Sequence, residues 1–171
     1  DGFADLIDNC PHNAGTSDSG SKIGCTDWDG DGYADSVDEF PTEITQWSDF
    51  DGDGFGDEIG GFEGDSCIEV VGISLNDRTG CLDTDRDGWS NPDSDWLVVD
   101  GADAFPTFSS QHADRDGDGY GDSLIGYQAD VCPDIEGTST EDVFGCLDTD
   151  GDGWSDAGDA FSNDSTQYLD S

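Results

Sequence analysis

Carboxylates at every second position recur along this 171-residue chain in a fixed pattern, Asp-x-Asp-x-Asp-Gly. Five copies are complete, and they begin at Asp27, Asp49, Asp83, Asp114 and Asp148. Alternating aspartates can bring three carboxylates around one point, and the glycine allows the backbone to turn back sharply. Ca²⁺ takes about 6–8 hard oxygen ligands of this kind. The pattern therefore predicts one calcium-binding loop per copy.

Each ligand has a numbered position in such a loop. Aspartates are expected to coordinate at positions one, three and five, a backbone carbonyl at position seven, and a further side-chain oxygen at position nine. The predicted carboxylate ligands of the five complete loops are Asp27, Asp29, Asp31, Asp49, Asp51, Asp53, Asp83, Asp85, Asp87, Asp114, Asp116, Asp118, Asp148, Asp150 and Asp152. The predicted carbonyl ligands are all aromatic residues, namely Phe3, Tyr33, Phe55, Trp89, Tyr120 and Trp154. The predicted ligands at position nine are Asp5, Asp35, Asp57, Asn91, Asp122 and Asp156.

The two ends of the chain carry the halves of a sixth copy. The sequence opens on Asp1-Gly2, the last two letters of the pattern, and closes on Asp170-Ser171, its first two. Asp1 and Asp170 are therefore predicted ligands as well. Because these halves lack only two residues of a complete loop, we expect the array to continue beyond both ends.

A second landmark identifies the ligand that closes each loop. An EF-hand loop ends on a carboxylate at position twelve and continues as a helix, but insertions change this spacing in three of the units. An aspartate two residues before a Cys or Phe occurs in all six units, and Cys and Phe alternate at that place. The closing ligands predicted in this way are Asp8, Asp38, Asp65, Asp103, Asp130 and Asp159.

The alternation of Cys and Phe defines a larger module of two units. The segments GCTDWDGDG, GCLDTDRDG and GCLDTDGDG begin at Gly24, Gly80 and Gly145. A period of this size is typical of a repeat array, in which each unit contacts mainly its neighbours. The predicted modules are 1–24, 25–80, 81–145 and 146–171, with a truncated unit at each end and an inserted loop at 92–101.

Composition predicts that folding depends on the metal. Apolar residues make up 32% of the chain, well below the roughly 45–50% of ordinary globular domains. Forty-three acidic residues face four basic ones, which gives a formal net charge of −39. Without a cation this combination is typical of a disordered chain. We therefore expect Ca²⁺ binding and folding to be one equilibrium, with more than one ion per unit.

The six cysteines fall as three local pairs. Six cysteines allow 15 connectivities, but only pairing between neighbours gives every module the same bond. The predicted disulfides are Cys10–Cys25, Cys67–Cys81 and Cys132–Cys146. Zinc is the alternative, although the chain has no C-x-x-C and its two histidines, His12 and His112, stand at unrelated places. Disulfides combined with calcium loops indicate an oxidising, calcium-rich compartment, which is the cell exterior.

These motifs together resemble thrombospondin type 3 repeats. DGFADLIDNCP at 1–11 is very similar to the end of such a repeat, and GCLDTDGDGWSDAGDAFSND from Gly145 is similar to repeats of large secreted or surface proteins of marine microbes. The resemblance implies an elongated, calcium-saturated array in which ions line the axis and disulfides join neighbouring segments. The chain departs from the family in its insertions and in using Phe for every second Cys.

The expected fold is a mostly irregular, calcium- and disulfide-stapled, elongated repeat array with little regular secondary structure. No segment has a helical period of useful length, and 25 glycines interrupt most runs. Dockerins place amphipathic helices after similar loops, but FPTEITQW and FPTFSSQH follow here. We expect at most single helical turns after Pro41 and Pro106. Short strands are predicted at 68–75 and 96–99, inside loops that depart from the consensus.

Charge and composition also bear on function. A polyanion repels nucleic acid, no run of about 20 apolar residues could cross a membrane, and carboxylates committed to calcium give no support for an enzyme. The favoured function is a structural segment of a long extracellular protein, acting as a stiff stalk, spacer or fibre subunit. Its expected partners are neighbouring repeats or identical chains in a fibre or surface assembly.

The alternative function is an adhesive module. It would bind a glycan or a protein partner through the inserted loops and exposed aromatic residues, for which Trp47, Trp96 and Tyr168 are the best candidates because they lie outside the metal loops. The other aromatic residues are expected to form small local cores. A glycosylation sequon occurs at Asn163-Asp164-Ser165.

Overall fold

A computed structural model describes residues 2–4 and 6–170 of the protein. Within these residues the only helix is a single 3₁₀ turn, Val98–Asp100, and there is no β-sheet. Three isolated parallel bridges pair Gly56 with Gly64, Gly121 with Ala129, and Asp130 with Phe144. No helix of this part of the chain is long and apolar enough to cross a membrane. The prediction of an irregular, disulfide-stapled fold with little regular secondary structure is confirmed.

The chain divides into two compact halves, Asp1–Leu82 and Asp83–Ser171. The first half contains the complete loops that begin at Asp27 and Asp49, and the second half contains the other three. The finer division into modules at 24, 80 and 145 stays a prediction.

The two predicted strands are absent. In the segment 68–75, the N–H groups of Ile73 and Ser74 both donate to the carbonyl of Cys81, at 3.0 and 3.2 Å. Neighbouring N–H groups that converge on one acceptor close a loop and cannot form a ladder. In the segment 96–99, the chain enters the 3₁₀ turn at Val98. The prediction from β-branched residues was therefore wrong, because strand propensity is expressed only where a partner strand is available.

Each Cys or Phe that follows a closing aspartate starts a single hydrogen-bonded turn. Glu43 N–H donates to the Phe40 carbonyl at 2.8 Å, and Phe108 N–H donates to the Phe105 carbonyl at 2.9 Å. Ile135 N–H makes the equivalent bond to the Cys132 carbonyl. We call a unit Cys-type or Phe-type according to the residue that stands two positions after its closing aspartate. Proline fits the second position of such turns because its φ is already restricted to the required value.

The three disulfides join the cysteines that the repeat predicts, and each has a Cα–Cα distance of 5.1 Å. A fully buried serine lies inside each disulfide loop, and these residues are Ser17, Ser74 and Ser139. Its hydroxyl accepts the N–H of the second cysteine, for example Cys81 N–H to Ser74 Oγ at 3.0 Å. The disulfide loop is therefore a compact element with a polar centre.

A buried glutamine follows the Phe of two units, at Gln46 and Gln111, and holds a loop of the next unit along the chain. Gln46 is 1% exposed, and its Nε2 donates to the carbonyls of Glu58 and Phe62 at 2.8 and 3.1 Å. Its Oε1 accepts the Glu58 N–H at 3.0 Å. Gln111 makes the same three bonds to the segment 123–127. One amide side chain thus satisfies three backbone groups of a loop that has no regular structure.

An aromatic stack lies next to Gln46, next to Gln111 and next to Gln167, which is exposed. The residue after the glutamine stacks on the aromatic residue at position seven of the preceding metal loop. The stacked pairs are Tyr33 with Trp47, Trp89 with His112, and Trp154 with Tyr168, with ring centroids 4.9, 4.4 and 4.4 Å apart. Trp47 and Tyr168, which were candidates for ligand binding, therefore contribute to local packing.

The glycine five residues after each first cysteine is required by close backbone approach. A Cβ on Gly72 would lie 2.0 Å from the carbonyl carbon of Cys81, whereas a Cβ on Gly60 would have no heavy atom within 4 Å. We expect Gly72→Ala to lower the free energy of unfolding of the Ca²⁺-loaded protein by roughly 2 kcal/mol or more, since backbone must move to relieve the overlap. The matched control Gly60→Ala should change it by less than about 0.5 kcal/mol. Chemical denaturation measures both, and equal midpoints for the two variants would contradict this packing.

Candidate metal centres

The first aspartate of each complete loop bridges the turn that follows it. Asp49 Oδ1 accepts the Gly52 N–H at 2.7 Å, and its Oδ2 accepts the Gly54 N–H at 2.9 Å. The other four loops show the same pair of bonds. Both turn residues have positive φ, 81° at Gly52 and 98° at Gly54. The fourth position therefore needs left-handed backbone as much as the sixth.

Arg86 is the exception at this fourth position. It stands where the other four loops have glycine, and its φ is 66°. An L-residue in this region carries a backbone strain of about 1 kcal/mol or more. The bond from Arg86 N–H to Asp83 Oδ1 is nonetheless 2.7 Å, as short as the 2.7–2.8 Å of the glycine loops. The hydrogen bonds to the Asp83 carboxylate thus maintain the turn even where a non-glycine residue must adopt positive φ.

The side chains at positions five and nine, and the carboxylate at position three in four of the five loops, each use one oxygen to hold the loop. In the loop at Asp49, Asp51 Oδ1 accepts the Asp53 N–H at 3.1 Å, and Asp53 Oδ1 accepts the Phe55 N–H at 2.9 Å. Asp57 Oδ1, from position nine, reaches back to the Phe50 N–H at 3.0 Å. Each side chain is therefore fixed in direction, and its second oxygen is left for another partner.

Three ligand atoms meet in every complete loop. One carboxylate oxygen from each aspartate at positions one, three and five lies within 4.8 Å of the other two. The five groups are Asp27–Asp29–Asp31, Asp49–Asp51–Asp53, Asp83–Asp85–Asp87, Asp114–Asp116–Asp118 and Asp148–Asp150–Asp152. The sequence prediction that these carboxylates gather around a common point is met in all five.

The closing aspartates adopt one conformation throughout the chain. In each, Oδ1 accepts the N–H of the Cys or Phe two residues later at 2.6–2.7 Å. The six residues are Asp8, Asp38, Asp65, Asp103, Asp130 and Asp159. This bond explains why the spacing of two residues is kept while the loops before it vary in length.

The closing aspartates Asp65 and Asp103 are buried close to the carboxylates of their own metal loops, despite the insertions in between. Burial raises the pKa of Asp103 to about 7, against the opposing bond from Phe105 N–H. The nearby charges of Asp87, Asp85 and Asp83 add to the rise in this pKa. Asp103 therefore lies close enough to its own loop for these charges to affect it, although the nine-residue insertion intervenes. Asp65, whose pKa burial raises to about 6, faces Asp53 and Asp51 in the same way.

The decisive feature is a set of buried oxygens for which the described residues supply no hydrogen-bond donor. The aspartate at position three contributes such an oxygen in all five loops, as Asp29 Oδ2, Asp51 Oδ2, Asp116 Oδ2, Asp150 Oδ2 and both oxygens of Asp85. Asp31, Asp103 and Asp130 add one Oδ2 each, and the last two residues are 0% exposed. A carboxylate oxygen that is enclosed in this way without a partner is destabilising.

A hard divalent cation fits this arrangement. The ligand atoms are all oxygens, which suit Ca²⁺ and Mg²⁺ and do not select zinc or copper. The three loop carboxylates, the residue at position nine and the closing aspartate offer enough oxygens for the 6–8 that Ca²⁺ prefers. The residues that would hold the ion in the loop at Asp114 are Asp114, Asp116, Asp118, Asp122 and Asp130.

Four of the predicted side-chain ligands differ from the others in their position or residue type. Asp1 and Asp5 lie outside the described residues, and Asp170 is exposed at the end of the described chain. Asn91 replaces an aspartate at position nine but keeps the same bond, with its Oδ1 accepting the Thr84 N–H at 3.1 Å. Coordination by the carbonyls of position seven stays a prediction.

Sequence reasoning missed a link between the metal loops and the disulfide loops. Asp53 Oδ2 accepts the Gly72 N–H at 2.9 Å, and Asp118 Oδ2 accepts the Gly137 N–H at 3.0 Å. The signal was visible, since each of these glycines lies 19 residues after its aspartate and five after a cysteine. The Cys67–Cys81 and Cys132–Cys146 loops therefore each position a carboxylate of the preceding metal loop.

No protein-family model matches this sequence, and no curated protein matches it either. The similarity to thrombospondin type 3 repeats therefore depends on the motif residues alone. What the structure supports directly is a disulfide-stapled chain with repeated aspartate clusters suited to binding cations.

The raised pKa values predict an unusual pH dependence for the metal-free protein. Burial raises the pKa of Asp38, Asp51, Asp65, Asp103 and Asp130 above the usual value of 3.8. The folded state therefore binds more protons than the unfolded state between about pH 4 and pH 7, and its stability falls as the pH rises through this window.

Metal-stripped protein should accordingly show more near-ultraviolet circular dichroism from its stacked aromatic rings at pH 4.5 than at pH 8. With Ca²⁺ in excess the order should reverse, because the ion binds the ionised carboxylates. A metal-free signal that grows with pH would contradict the burial of these groups.

Proposed function

We propose that this chain is a structural calcium-binding segment of an extracellular protein, in which Ca²⁺ takes the stabilising role that a hydrophobic core has elsewhere. The observation that carries the proposal is the buried, donor-less carboxylate oxygen at position three of all five complete loops. A repeated arrangement that is unfavourable without a cation is best explained by a cation at each loop.

The composition of the interior supports this proposal. The buried hydrophobic residues of the described chain are three cysteines and two alanines, namely Cys25, Ala34, Cys81, Ala102 and Cys146. The largest fully buried side chains are Gln46, Gln111 and the aspartates Asp65, Asp103 and Asp130. At roughly 25 cal/mol per Å² of apolar surface, so small an apolar interior contributes little to stability. Electrostatic compensation by bound ions must supply most of it.

In this proposal each ion joins chain segments that are distant in sequence. Asp103 follows Asp83 by 20 residues, yet both would ligate the same ion, so binding closes the loop between them. The entropy of loop closure is then offset by coordination, much as it is by a disulfide. Each ion also removes two of the 39 net negative charges that would otherwise expand the chain.

Contacts between successive units favour a stalk, spacer or fibre subunit over a calcium buffer. The N–H groups of Thr140 and Glu141, beside a disulfide, both donate to the Gly153 carbonyl of the next metal loop, at 2.7 and 2.9 Å. Asp18 and Ser19 donate to Gly32 in the same way, both at 2.9 Å. Repeated docking of one unit on the next is what a load-bearing array needs. The three disulfides fit an oxidising, extracellular setting.

Small-angle X-ray scattering with and without metal tests this function. Metal-stripped protein at pH 7.5 should expand toward the radius of gyration of an unfolded chain, about 44 Å for this length, and excess Ca²⁺ should reduce it clearly. NaCl at matched ionic strength is the control for simple charge screening and should restore little of the compaction. A radius unaffected by metal removal, or fully restored by NaCl, would overturn the proposal.

A further inference from the structure

The insertion at 92–101 is the largest departure from the repeat, and it forms an ordered loop. Asp103 N–H donates to the Ser90 carbonyl at 2.9 Å and closes its neck. Asp93 N–H donates to the Trp96 carbonyl at 2.9 Å, and Ala102 N–H donates to the Leu97 carbonyl at 3.1 Å. The Trp96 ring covers Gly101, where an added Cβ would lie 3.3 Å from Cζ2. These bonds give the insertion a defined shape.

A cleft of about 760 Å³ lies between this insertion and the metal loop at Asp114. It is lined by Val98 and Val99 of the insertion, by the stacked pair Trp89 and His112, and by loop residues that include Arg115 and Asp122. Its volume falls within the roughly 300–1,000 Å³ of small-ligand sites. The other complete loops lack the insertion, so the repeat itself does not produce this cleft.

The lining combines apolar surface with both kinds of hydrogen-bonding group. Val99 is 86% exposed and Val98 is 43% exposed, so these two neighbours present apolar surface to solvent. The Arg115 guanidinium is a donor that is already oriented by Asp134, at 2.8 Å, and it lies 3.9 Å from Asp122. Carboxylate oxygens of the metal loop are the acceptors. A ligand that fits must have an apolar face and a rim of hydroxyl groups.

We propose that this cleft binds a neutral sugar residue of a glycan. The C–H face of a pyranose would pack against Val98, Val99 and the Trp89 ring, and its hydroxyls would hydrogen-bond Arg115 and Asp122. A purely apolar ligand would bury these charged groups without partners. An anionic ligand would be repelled by the negative charge of the chain, which is −39 before ions bind and is only partly neutralised by them, and a cationic ligand would compete with the ion for the loop carboxylates. The inference rests on the proposed Ca²⁺ binding, because Asp122 belongs to a metal loop.

An array of neutral oligosaccharides, with terminal glucose, galactose, mannose and N-acetylhexosamines, tests the proposal directly. Fluorescently labelled, Ca²⁺-loaded protein should bind at least one of them, and titration calorimetry with the free oligosaccharide should confirm it. Val99→Asp should weaken this binding at least tenfold, because it places a charge on the apolar surface. The matched control is Val71→Asp, at a valine that is 57% exposed and lies outside the cleft; it should bind like the unmodified protein.

Thermal unfolding in Ca²⁺ establishes that both variants are folded. Failure to bind any neutral sugar, or equal weakening by the two substitutions, would overturn the proposal. Binding of an oligolysine peptide at the cleft, weakened by Val99→Asp and by rising Ca²⁺, would also overturn it. In each of these cases the calcium-dependent compaction is measured on the same sample. Intact compaction would confine the failure to the cleft, whereas its loss would mean that the proposed function had failed as well.

Discussion

Burial of carboxylate oxygens without protein donors is the constraint on which this structure depends. In every complete loop, the aspartate at position three has an oxygen that is enclosed among like charges and accepts no hydrogen bond from the described residues. In four of the five loops, its other oxygen accepts a backbone N–H. Removing such a group from water is tolerable only with an opposite charge close by. The fold is therefore organised around places where a cation is needed, and its interior contains aspartate, glutamine and serine where other proteins have leucine and valine.

Two different devices position these carboxylates in alternate units. In Cys-type units the disulfide loop donates a glycine N–H to the fifth-position aspartate, as Gly72 does to Asp53. After the Phe of a Phe-type unit, an aromatic stack packs on that unit's own metal loop, as in the Trp89–His112 pair, and a buried glutamine such as Gln111 holds a loop of the next unit. Both devices leave the closing aspartate in the same conformation, so Phe replaces Cys without changing the metal loop. The alternation of Cys and Phe thus changes the contacts that follow the closing aspartate, while the conformation of that aspartate is the same in every unit.

The clustering of the loop aspartates and the disulfide pairing could be predicted because each depends on spacing along the sequence. The place of Asp103, two residues before Phe105, was found across a nine-residue insertion because its bond to the Phe105 N–H fixes a local distance. Its coordination of an ion stays a prediction. Gln46 and Ser74 were not identified although equivalent residues recur in the repeat, because spacing along the sequence does not show which backbone groups a side chain binds. The strands predicted from Val and Ile runs were wrong for a related reason. These runs lie in closed loops where no neighbouring strand exists to pair with them.

The most direct test of the central claim is anomalous diffraction from crystals grown in Ca²⁺, recorded at a long X-ray wavelength. We predict an anomalous peak in each of the five complete loops, within about 2.3–2.6 Å of the position-three oxygen and the closing aspartate. Loops without such peaks, in which Asp51, Asp116 and Asp150 instead contact only water or protein donors, would contradict the account.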